Sequence, residues 1–523
     1  MKRIVFISLC LVFASANAQS PQEEMGIDFM LNKNYLQALP IYKTLAKNSP
    51  DNAEFRYKYG LCLVNTYGNL TEAIANLEFA AEKNKTNSDY WFYLGLACQH
   101  NINFDKAITA FEHCKQTASK KDLEKIERQI ENCLHGKELT AYPVNVTFQN
   151  LGKNINSVYP DYYPLVPDDE SFLLYTTRRP LKPAAKPEMD GYFSSDIYTA
   201  TPKDGAWINS KNIGVTINTL LDEQAVDISG DGKLMTLYMD HIDSAGNLYL
   251  SENTKTGFRR PERTDAKINE GFETAGAMNA NEDVMVFASE RKGGTGGKDI
   301  YIIRKLCNGH WATPEHLGNN VNTKFNEDFP RLSKDGKTLF FASEGHSSMG
   351  GFDIFKSEWN ETQMSWSAPQ NLGYPINDAF DNENITFSAD GSHAYISAIR
   401  EGGMGDLDLY KIKFNEAEPH YCIITGYIKT SDSVAANIKI KILVSGAEDN
   451  LSASAGTTPK PITDVLKFAP VQKTGKYVMA LPPGSYKLNI VAEGYEEVIV
   501  PYTIFEVPFQ PERTKDFILQ RKK

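Results

Sequence analysis

The sequence is poor in cysteine, in long apolar runs and in positive charge, and each shortage excludes a class of protein. Seven cysteines in 523 residues, none of them in a CxxC pair, exclude a disulfide framework. After residue 18, no run approaches the roughly 18 apolar residues that a membrane helix needs. Lys and Arg number 55 against 66 Asp and Glu, and the resulting net charge of −11 argues against nucleic acid as a partner.

The first eighteen residues predict a cleaved signal peptide. Lys2 and Arg3 precede an apolar run from 4 to 13, and Ala-Asn-Ala at 16–18 provides the small residues that signal peptidase requires. Removal of Lys2 and Arg3 changes the net charge from −11 to −13. We therefore expect an exported protein of the periplasm that associates with the outer membrane, if at all, only through partners.

Export raises two questions about the cysteines: whether two of them form a disulfide bridge, and whether one of them carries a lipid anchor. Cys114 and Cys133 lie on successive predicted helices, where an oxidising compartment would allow them to form a bridge. The favoured interpretation is that both are small buried apolar side chains. A lipoprotein anchor at Cys10 is disfavoured because Leu9 stands where a small residue is needed.

Residues 19–137 contain a helical repeat. Glycine and alanine recur with periods of 34 and 35 residues, and 34 residues is the length of a tetratricopeptide unit. The recurring residues are Gly26, Gly60 and Gly95, and Ala38, Ala73 and Ala107. Small side chains at these positions allow the two helices of a unit to pack closely. The segment 120–136 predicts an amphipathic capping helix that ends at Gly136.

Residues 142–415 contain a second, longer repeat with a β pattern. The phrase Asp-Ile-Tyr or a variant begins at Asp196, Asn247, Asp299, Asp353 and Asp408, in steps of 51, 52, 54 and 55 residues. A second anchor, Ile-Asn or Val-Asn, ends at Asn156, Asn218, Asn269, Asn322 and Asn377. Four predicted strands per unit indicate a five-bladed β-propeller, with six blades as the alternative. We expect the segment 144–151 to add the outer strand of the last blade as a clasp.

Asp-Gly pairs precede an apolar strand in three of these units. They occupy positions 231–232, 335–336 and 390–391. Because Asp-Gly is typical of two-residue type I′ hairpins, we expect a type I′ turn at each pair.

Residues 420–523 form a third region after a short charged linker. Apolar and polar residues alternate along about seven short segments, a pattern typical of a small β-sandwich. The predicted fold class is therefore multidomain, with an all-α helical repeat, then a five-bladed β-propeller, then a small β-sandwich.

The three regions resemble known modules. Residues 19–137 resemble the tetratricopeptide family, and 142–415 the WD40-like propellers of the TolB type. Gly426 and the phrases at 475–486 and 492–495 resemble the carboxypeptidase regulatory-like domain. In this order, the modules are similar to the PorE-like envelope proteins of the type IX secretion system. That family carries a further OmpA-like peptidoglycan-binding domain. None of the residues 1–523 resembles it, so we expect any link to peptidoglycan-associated complexes to be indirect.

The tetratricopeptide resemblance implies a peptide-binding groove on the first helix of each unit. Carried over by the register of Gly60 and Gly95, the groove residues are Glu54, Tyr57, Leu61 and Asn65, then Asp89, Phe92, Leu96, Gln99 and His100. Mixed aromatic and polar side chains suit an extended or helical peptide. The alternative is that the repeats only support the propeller.

An acidic residue also recurs before the first strand of each propeller unit. These residues are Asp161, Glu223, Glu273, Glu327 and Glu383. If they converge at the mouth of the funnel, they form a negative ring that attracts a cation or a basic peptide segment. The alternative is that they are acidic residues that solvate loops.

Motifs of catalysis are missing from the sequence. It contains neither G-x-S-x-G nor H-E-x-x-H, and its nine histidines have no metal-binding spacing. We therefore expect no enzymatic activity, no cofactor and no bound metal. The interpretation is a non-catalytic periplasmic scaffold that binds envelope or secretion-machinery proteins through its repeat surfaces. The alternative is a receptor that binds a glycan or a peptide in the propeller funnel.

Overall fold

The computed structural model describes residues 20–182, 184–241, 244–415, 422–431, 440–446, 465–471, 474–504 and 512–522. The predicted signal peptide lies outside these residues. Over the described ranges, no helix is long and apolar enough to cross a membrane.

Seven helices form the first region, and each packs against the next along the chain. They are α1 (Pro21–Leu31), α2 (Tyr35–Asn48), α3 (Ala53–Asn65), α4 (Leu70–Lys83), α5 (Ser88–His100), α6 (Phe104–Thr117) and α7 (Leu123–Ala141). An asparagine side chain caps the N-terminus of each helix from α2 to α6 by accepting a backbone N–H. Such caps satisfy donors that the helix itself leaves unpaired, so the asparagines fix where each helix begins.

Close packing at the repeated glycines is confirmed. A Cβ at Gly95 would lie 2.5 Å from the Phe111 ring, and one at Gly60 would lie 2.6 Å from Leu77. The repeated alanines are fully buried. A larger side chain at any of these positions would separate the paired helices.

The predicted end of the capping helix is wrong. Helix α7 continues through Gly136 to Ala141. A Cβ at Gly136 would lie 2.4 Å from the Phe104 ring, so this glycine permits close packing inside the helix and does not terminate it.

Cys114 and Cys133 are free, buried thiols, and burial raises their pKa values to about 11 and about 12.

Five separate antiparallel sheets follow in the described residues of the β region. The first contains β2 (Asp161–Leu165), β3 (Leu173–Thr177), β4 (Asp196–Lys203) and β5 (Ala206–Asn212). The second contains β6 (Glu223–Ile228), β7 (Leu234–His241), β8 (Ser244–Thr254) and β10 (Glu262–Arg263), with β9 (Gly257–Phe258) paired to β8. The third contains β11 (Glu273–Met278), β12 (Val284–Ser289), β13 (Asp299–Arg304) and β14 (Glu315–His316).

The last two sheets complete this region. The fourth contains β15 (Glu327–Leu332), β16 (Thr338–Ser343) and β17 (Asp353–Asn360), with β18 (Ser365–Trp366) and β19 (Gln370–Asn371) both paired to β17. The fifth contains β20 (Ile385–Phe387), β21 (His393–Ala398) and β22 (Asp408–Phe414). Its outer strand is β1 (Val146–Asn150), which lies within the expected clasp segment and pairs antiparallel with β22. The first strands also touch between sheets: β2 contacts β6, β6 contacts β11, β11 contacts β15, and β2 contacts β20.

The repeated asparagines explain the second sequence anchor. Each accepts the N–H and donates to the C=O of the middle residue in one Asp-Ile-Tyr phrase. The pairs are Asn156 with Leu409, Asn218 with Ile197, Asn269 with Leu248, Asn322 with Ile300, and Asn377 with Ile354. Each asparagine therefore fastens the loop that leaves one sheet to the third strand of that sheet. The first of them fastens the start of the region to its last sheet.

The predicted turn type at the Asp-Gly pairs is wrong. A type I′ turn needs a positive φ at both central residues, whereas only the glycines have one, at 70°, 71° and 65°. The N–H of Gly232 instead bonds the carbonyl of Ser229, three residues back. These loops are longer than two residues. In each of them, the hydroxyl of the serine two positions before the aspartate donates to the aspartate carboxylate.

In the described part of the C-terminal region, eight further strands form two sheets around a separate core. The strands are β23 (Cys422–Thr430), β24 (Ile440–Gly446), β25 (Leu466–Phe468), β26 (Lys476–Leu481), β27 (Gly484–Ala492), β28 (Val498–Ile504), β29 (Glu512–Thr514) and β30 (Phe517–Leu519). One sheet has β23 between β26 and the pair β29 and β30, and the other has the order β25-β24-β27-β28. Alternate residues of β23 and β26 are buried, as expected for strands with one face on a core.

Candidate functional site

A loop of the fourth sheet packs against helices α5 and α7 of the helical repeats. This docking loop, residues 344–350, connects β16 to β17. Arg128 of α7 donates to the carbonyl oxygens of Glu344 at 2.6 Å, Gly345 at 2.7 Å and His346 at 3.2 Å. Asn132 donates to the carbonyl oxygen of Gly350 at 2.6 Å. One guanidinium thus satisfies several backbone acceptors that burial would otherwise leave unpaired.

Other parts of the chain contact two of the predicted groove residues. Gln99 is 1% exposed, and its amide donates to the carbonyl of Met349. The His100 ring lies 4.5 Å from the ring of Phe380. Burial lowers the pKa of His100 to about 4, so the imidazole is neutral. In the structure, the side chains of Gln99 and His100 are therefore engaged in contacts with the chain itself.

Four other predicted groove residues support the helices. Leu61 and Phe92 are buried, and the Lys125 ammonium lies 4.5 Å from the centre of the Phe92 ring. The Asn65 amide donates to the backbone of its own helix, at Leu61. Leu96 packs partly buried against the helical core. These side chains stabilise the repeat and offer little free surface to a ligand.

The remaining groove residues lie together at the other end. Tyr57 stacks on Tyr90 with ring centres 4.4 Å apart, and it meets Tyr93 at 6.0 Å. Glu54 and Asp89 are exposed in the first turns of α3 and α5. We name these five residues the tyrosine face. Sequence reasoning missed Tyr90 and Tyr93, although the aromatic run Tyr-Trp-Phe-Tyr at 90–93 marks the place.

The predicted acidic ring does not form at four of its five positions. Asp161, Glu223, Glu273 and Glu327 have no exposed surface. Each bonds the loop before its own strand: Asp161 accepts from Ser157, Glu223 from Thr219, Glu273 from Gly271, and Glu327 from Thr323. They are structural carboxylates that hold loops, and no ligand can reach them as the structure stands.

Burial has a clear electrostatic effect on these carboxylates. It raises the pKa of Glu223 and of Glu327 to about 7. The other two have cationic neighbours, because Asp161 pairs with Arg179 at 2.5 Å and Glu273 with Arg291 at 3.4 Å.

Glu383 differs from the other four because of a one-residue offset. In the fifth sheet, Asn382 occupies the loop-holding position and accepts the N–H of Asp378. Glu383 therefore corresponds to Gln224, Thr274 and Asp328, which follow the buried carboxylates of their strands. These four side chains line a cavity of about 170 Å³ among the first strands of the sheets. Tyr163, Tyr238, Phe272, Lys298 and Phe329 complete its wall.

The backbone is strained at two residues of this wall. Tyr163 and Phe329 have φ values of 54° and 49°, a left-handed conformation that is unfavourable for bulky side chains. Both lie at β-bulges, in β2 and β15, and their rings meet at 4.5 Å. Bulges redirect side chains and are frequent beside functional sites. Here they turn two aromatic rings toward one cavity.

The polar groups of the cavity are unevenly paired. Asp328 accepts from the Thr274 hydroxyl at 2.8 Å and from the Lys298 ammonium. One carboxylate oxygen of Glu383 accepts from the Tyr163 hydroxyl at 2.7 Å. Burial raises the pKa of Glu383 to about 7, and the charges of Asp381 and Asp328 add to the effect. No group of three or more metal-ligating side chains occurs anywhere in the described part of the chain.

Comparison with known proteins identifies the helical region. A family model described as tetratricopeptide repeat matches residues 24–74 and 66–115. This match confirms tetratricopeptide repeats in the N-terminal region, and such repeats imply a protein–protein interaction scaffold. No curated protein matches the chain.

Solved structures resemble separate parts of the chain. The Sgt2 TPR domain from Aspergillus fumigatus is 22% identical over 23% of this chain and 87% of that chain, with a TM-score of 0.20. The TPR2B domain of yeast Sti1 in complex with pHsp70 is 15% identical over 23% of this chain and 94% of that chain, with a TM-score of 0.20. A structure described as a glycoside hydrolase is 10% identical over 53% of this chain and 94% of that chain, with a TM-score of 0.36.

Proposed function

We propose that the protein is a non-catalytic periplasmic scaffold whose tyrosine face binds a basic segment of an envelope or secretion-machinery protein. The tyrosine face carries this proposal. Tyr57 and Tyr93 are half-buried and offer part of their rings as rigid apolar area, whereas Tyr90 is buried against Tyr57. Glu54 and Asp89 add two exposed carboxylates beside them, of which Glu54 also pairs with Lys58 at 2.7 Å. The net charge of −11, or −13 after removal of the predicted signal peptide, attracts a basic partner at long range.

The β region provides a rigid support in this proposal. We regard the five sheets as the blades of a closed five-bladed propeller. The pairing of β1 with β22 and the bonds between Asn156 and Leu409 support closure, since both join the start of the region to its end. The docking loop holds this body against the repeats, and the C-terminal sheets provide a further surface. The type IX secretion context rests on the order of the modules.

Site-specific photocrosslinking in cells tests the scaffold function. A photoreactive amino acid in place of Asp89 lies on the tyrosine face, and the same residue in place of the exposed Glu112 of α6 is the matched control. We expect a discrete adduct with an envelope protein at position 89, and none with the same protein at position 112. Equal labelling at both positions, or no adduct at position 89, would contradict the proposal.

A second candidate function is a receptor that binds a small ligand in the propeller cavity. The strained Tyr163 and Phe329 favour it, because an unfavourable backbone at two cavity residues needs a compensating role. Direct binding to the full chain, described below, tests this function.

A further inference from the structure

The cavity is large enough for an organic group. Its volume is about 170 Å³, whereas a single water needs only roughly 10–15 Å³. Its wall combines four aromatic side chains, Tyr163, Tyr238, Phe272 and Phe329, with five polar ones. Small-molecule sites likewise combine aromatic side chains with polar groups that orient the ligand.

The charges of the cavity leave one carboxylate in excess. Lys298 is the one cation in the wall, and Asp328 pairs with it. Asp328 also accepts from Thr274 and from the backbone N–H of Phe329, so its hydrogen-bonding capacity is largely used. Glu383 has no salt bridge among the described residues, and only its Oε2 atom accepts a bond within them.

Two further features select the kind of cation. Aromatic rings around a carboxylate suit an ammonium group, because the faces of aromatic rings attract positive charge. The described residues contain no group of three or more His, Cys, Asp or Glu side chains placed to hold a metal ion. The Gln224 amide also faces the cavity and offers a second acceptor for an N–H donor.

We propose that this cavity binds a primary ammonium group, which donates to Glu383 and Gln224 and lies against the rings of Tyr163 and Phe329. The ammonium belongs either to a free small amine or to a lysine side chain of a bound peptide. This inference rests on the receptor function and specifies its ligand.

Calorimetric titration of the full chain at pH 8 tests the inference, since Glu383 is ionised there. The two ammonium probes are 1,5-diaminopentane and Nα-acetyl-lysine methylamide. The uncharged match is Nα,Nε-diacetyl-lysine methylamide, and N,N′-diacetylchitobiose represents a saccharide. We expect at least one ammonium probe to bind and the uncharged match not to bind. Binding of the diamine alone indicates a free amine, and binding of the lysine derivative alone indicates a side chain.

Glu383→Gln is the decisive variant because glutamine keeps an oxygen that accepts from Tyr163. We expect it to weaken binding of the ammonium probe at least about tenfold. Glu401→Gln, at an exposed turn position, is the control and should leave binding unchanged. Unchanged binding in Glu383→Gln overturns the inference. Binding of chitobiose alone also overturns it but leaves the receptor function intact, whereas no binding by any probe removes both.

Discussion

At the scale of the residue, five asparagines explain why one dipeptide recurs through the β region. Each satisfies both backbone groups of a buried strand residue with one amide. An amide side chain presents a donor and an acceptor at the spacing of a peptide group. Aspartate could accept but not donate, and an apolar residue would leave two buried backbone groups unpaired.

Replacement of Asn322 by alanine tests this role. The N–H and the C=O of Ile300 lose partners at 2.7 Å and 3.0 Å. We expect a loss of about 2–5 kcal/mol in the free energy of unfolding, measured by urea denaturation. Asn308→Ala removes an asparagine from an exposed turn and should cost less than about 1 kcal/mol. Equal losses in the two variants would show that the buried asparagine is not a structural clamp.

At the scale of the element, the docking loop and α7 form one of the contacts that join the helical repeats to the β region. Met349 is fully buried against the helices, and Arg128 holds the loop through its carbonyl oxygens. Carbonyl contacts carry no side-chain signature, and the partners are 216 to 218 residues apart. The sequence alone therefore does not reveal this interface.

Arg128→Ala should release the docking loop. Without the guanidinium, the carbonyls of Glu344, Gly345 and His346 lose their donors. We expect faster amide hydrogen exchange in 344–350, with little change in the sheets. Lys120→Ala, at an exposed position before α7, is the control. Identical exchange in the wild type and in Arg128→Ala would refute the clamp.

The periodic features of the helices and strands could be predicted from the sequence. The face of a strand on which each side chain lies could not. The glycine spacing identified helix pairs because close packing tolerates only small residues. The acidic ring was misplaced because a one-residue offset in a strand sends the side chain to the other face. Bulges in β2 and β15 also redirect Tyr163 and Phe329, and the residue types alone do not indicate a bulge.

At the scale of the whole molecule, buried carboxylates make stability depend on pH. Burial raises the pKa of Glu223, Glu327, Asp353 and Glu383 to about 7. A carboxyl whose pKa is higher in the folded state than in the unfolded state binds its proton more tightly when folded. Its contribution to stability is therefore complete at low pH and is lost as the pH rises through about 7.

We expect the melting temperature of the full chain to fall between pH 6.5 and pH 8. This window lies above the range in which the lowered pKa of His100, about 4, acts in the opposite direction. Differential scanning calorimetry at constant ionic strength measures the slope. Glu327→Gln imitates the protonated carboxyl and should flatten the slope. A melting temperature that rises with pH would contradict the assignment.

The central claim is that the tyrosine face binds a partner through aromatic contact and negative charge. The most direct test is the affinity of the crosslinked partner for the purified full chain and for the double variant Glu54→Lys and Asp89→Lys. Two charge reversals at an interface should weaken binding at least about tenfold. The affinity of the double variant should not depend more steeply on salt concentration than that of the wild type. Glu112→Lys should bind as the wild type does. An affinity that is the same in the wild type and in the double variant would contradict the account.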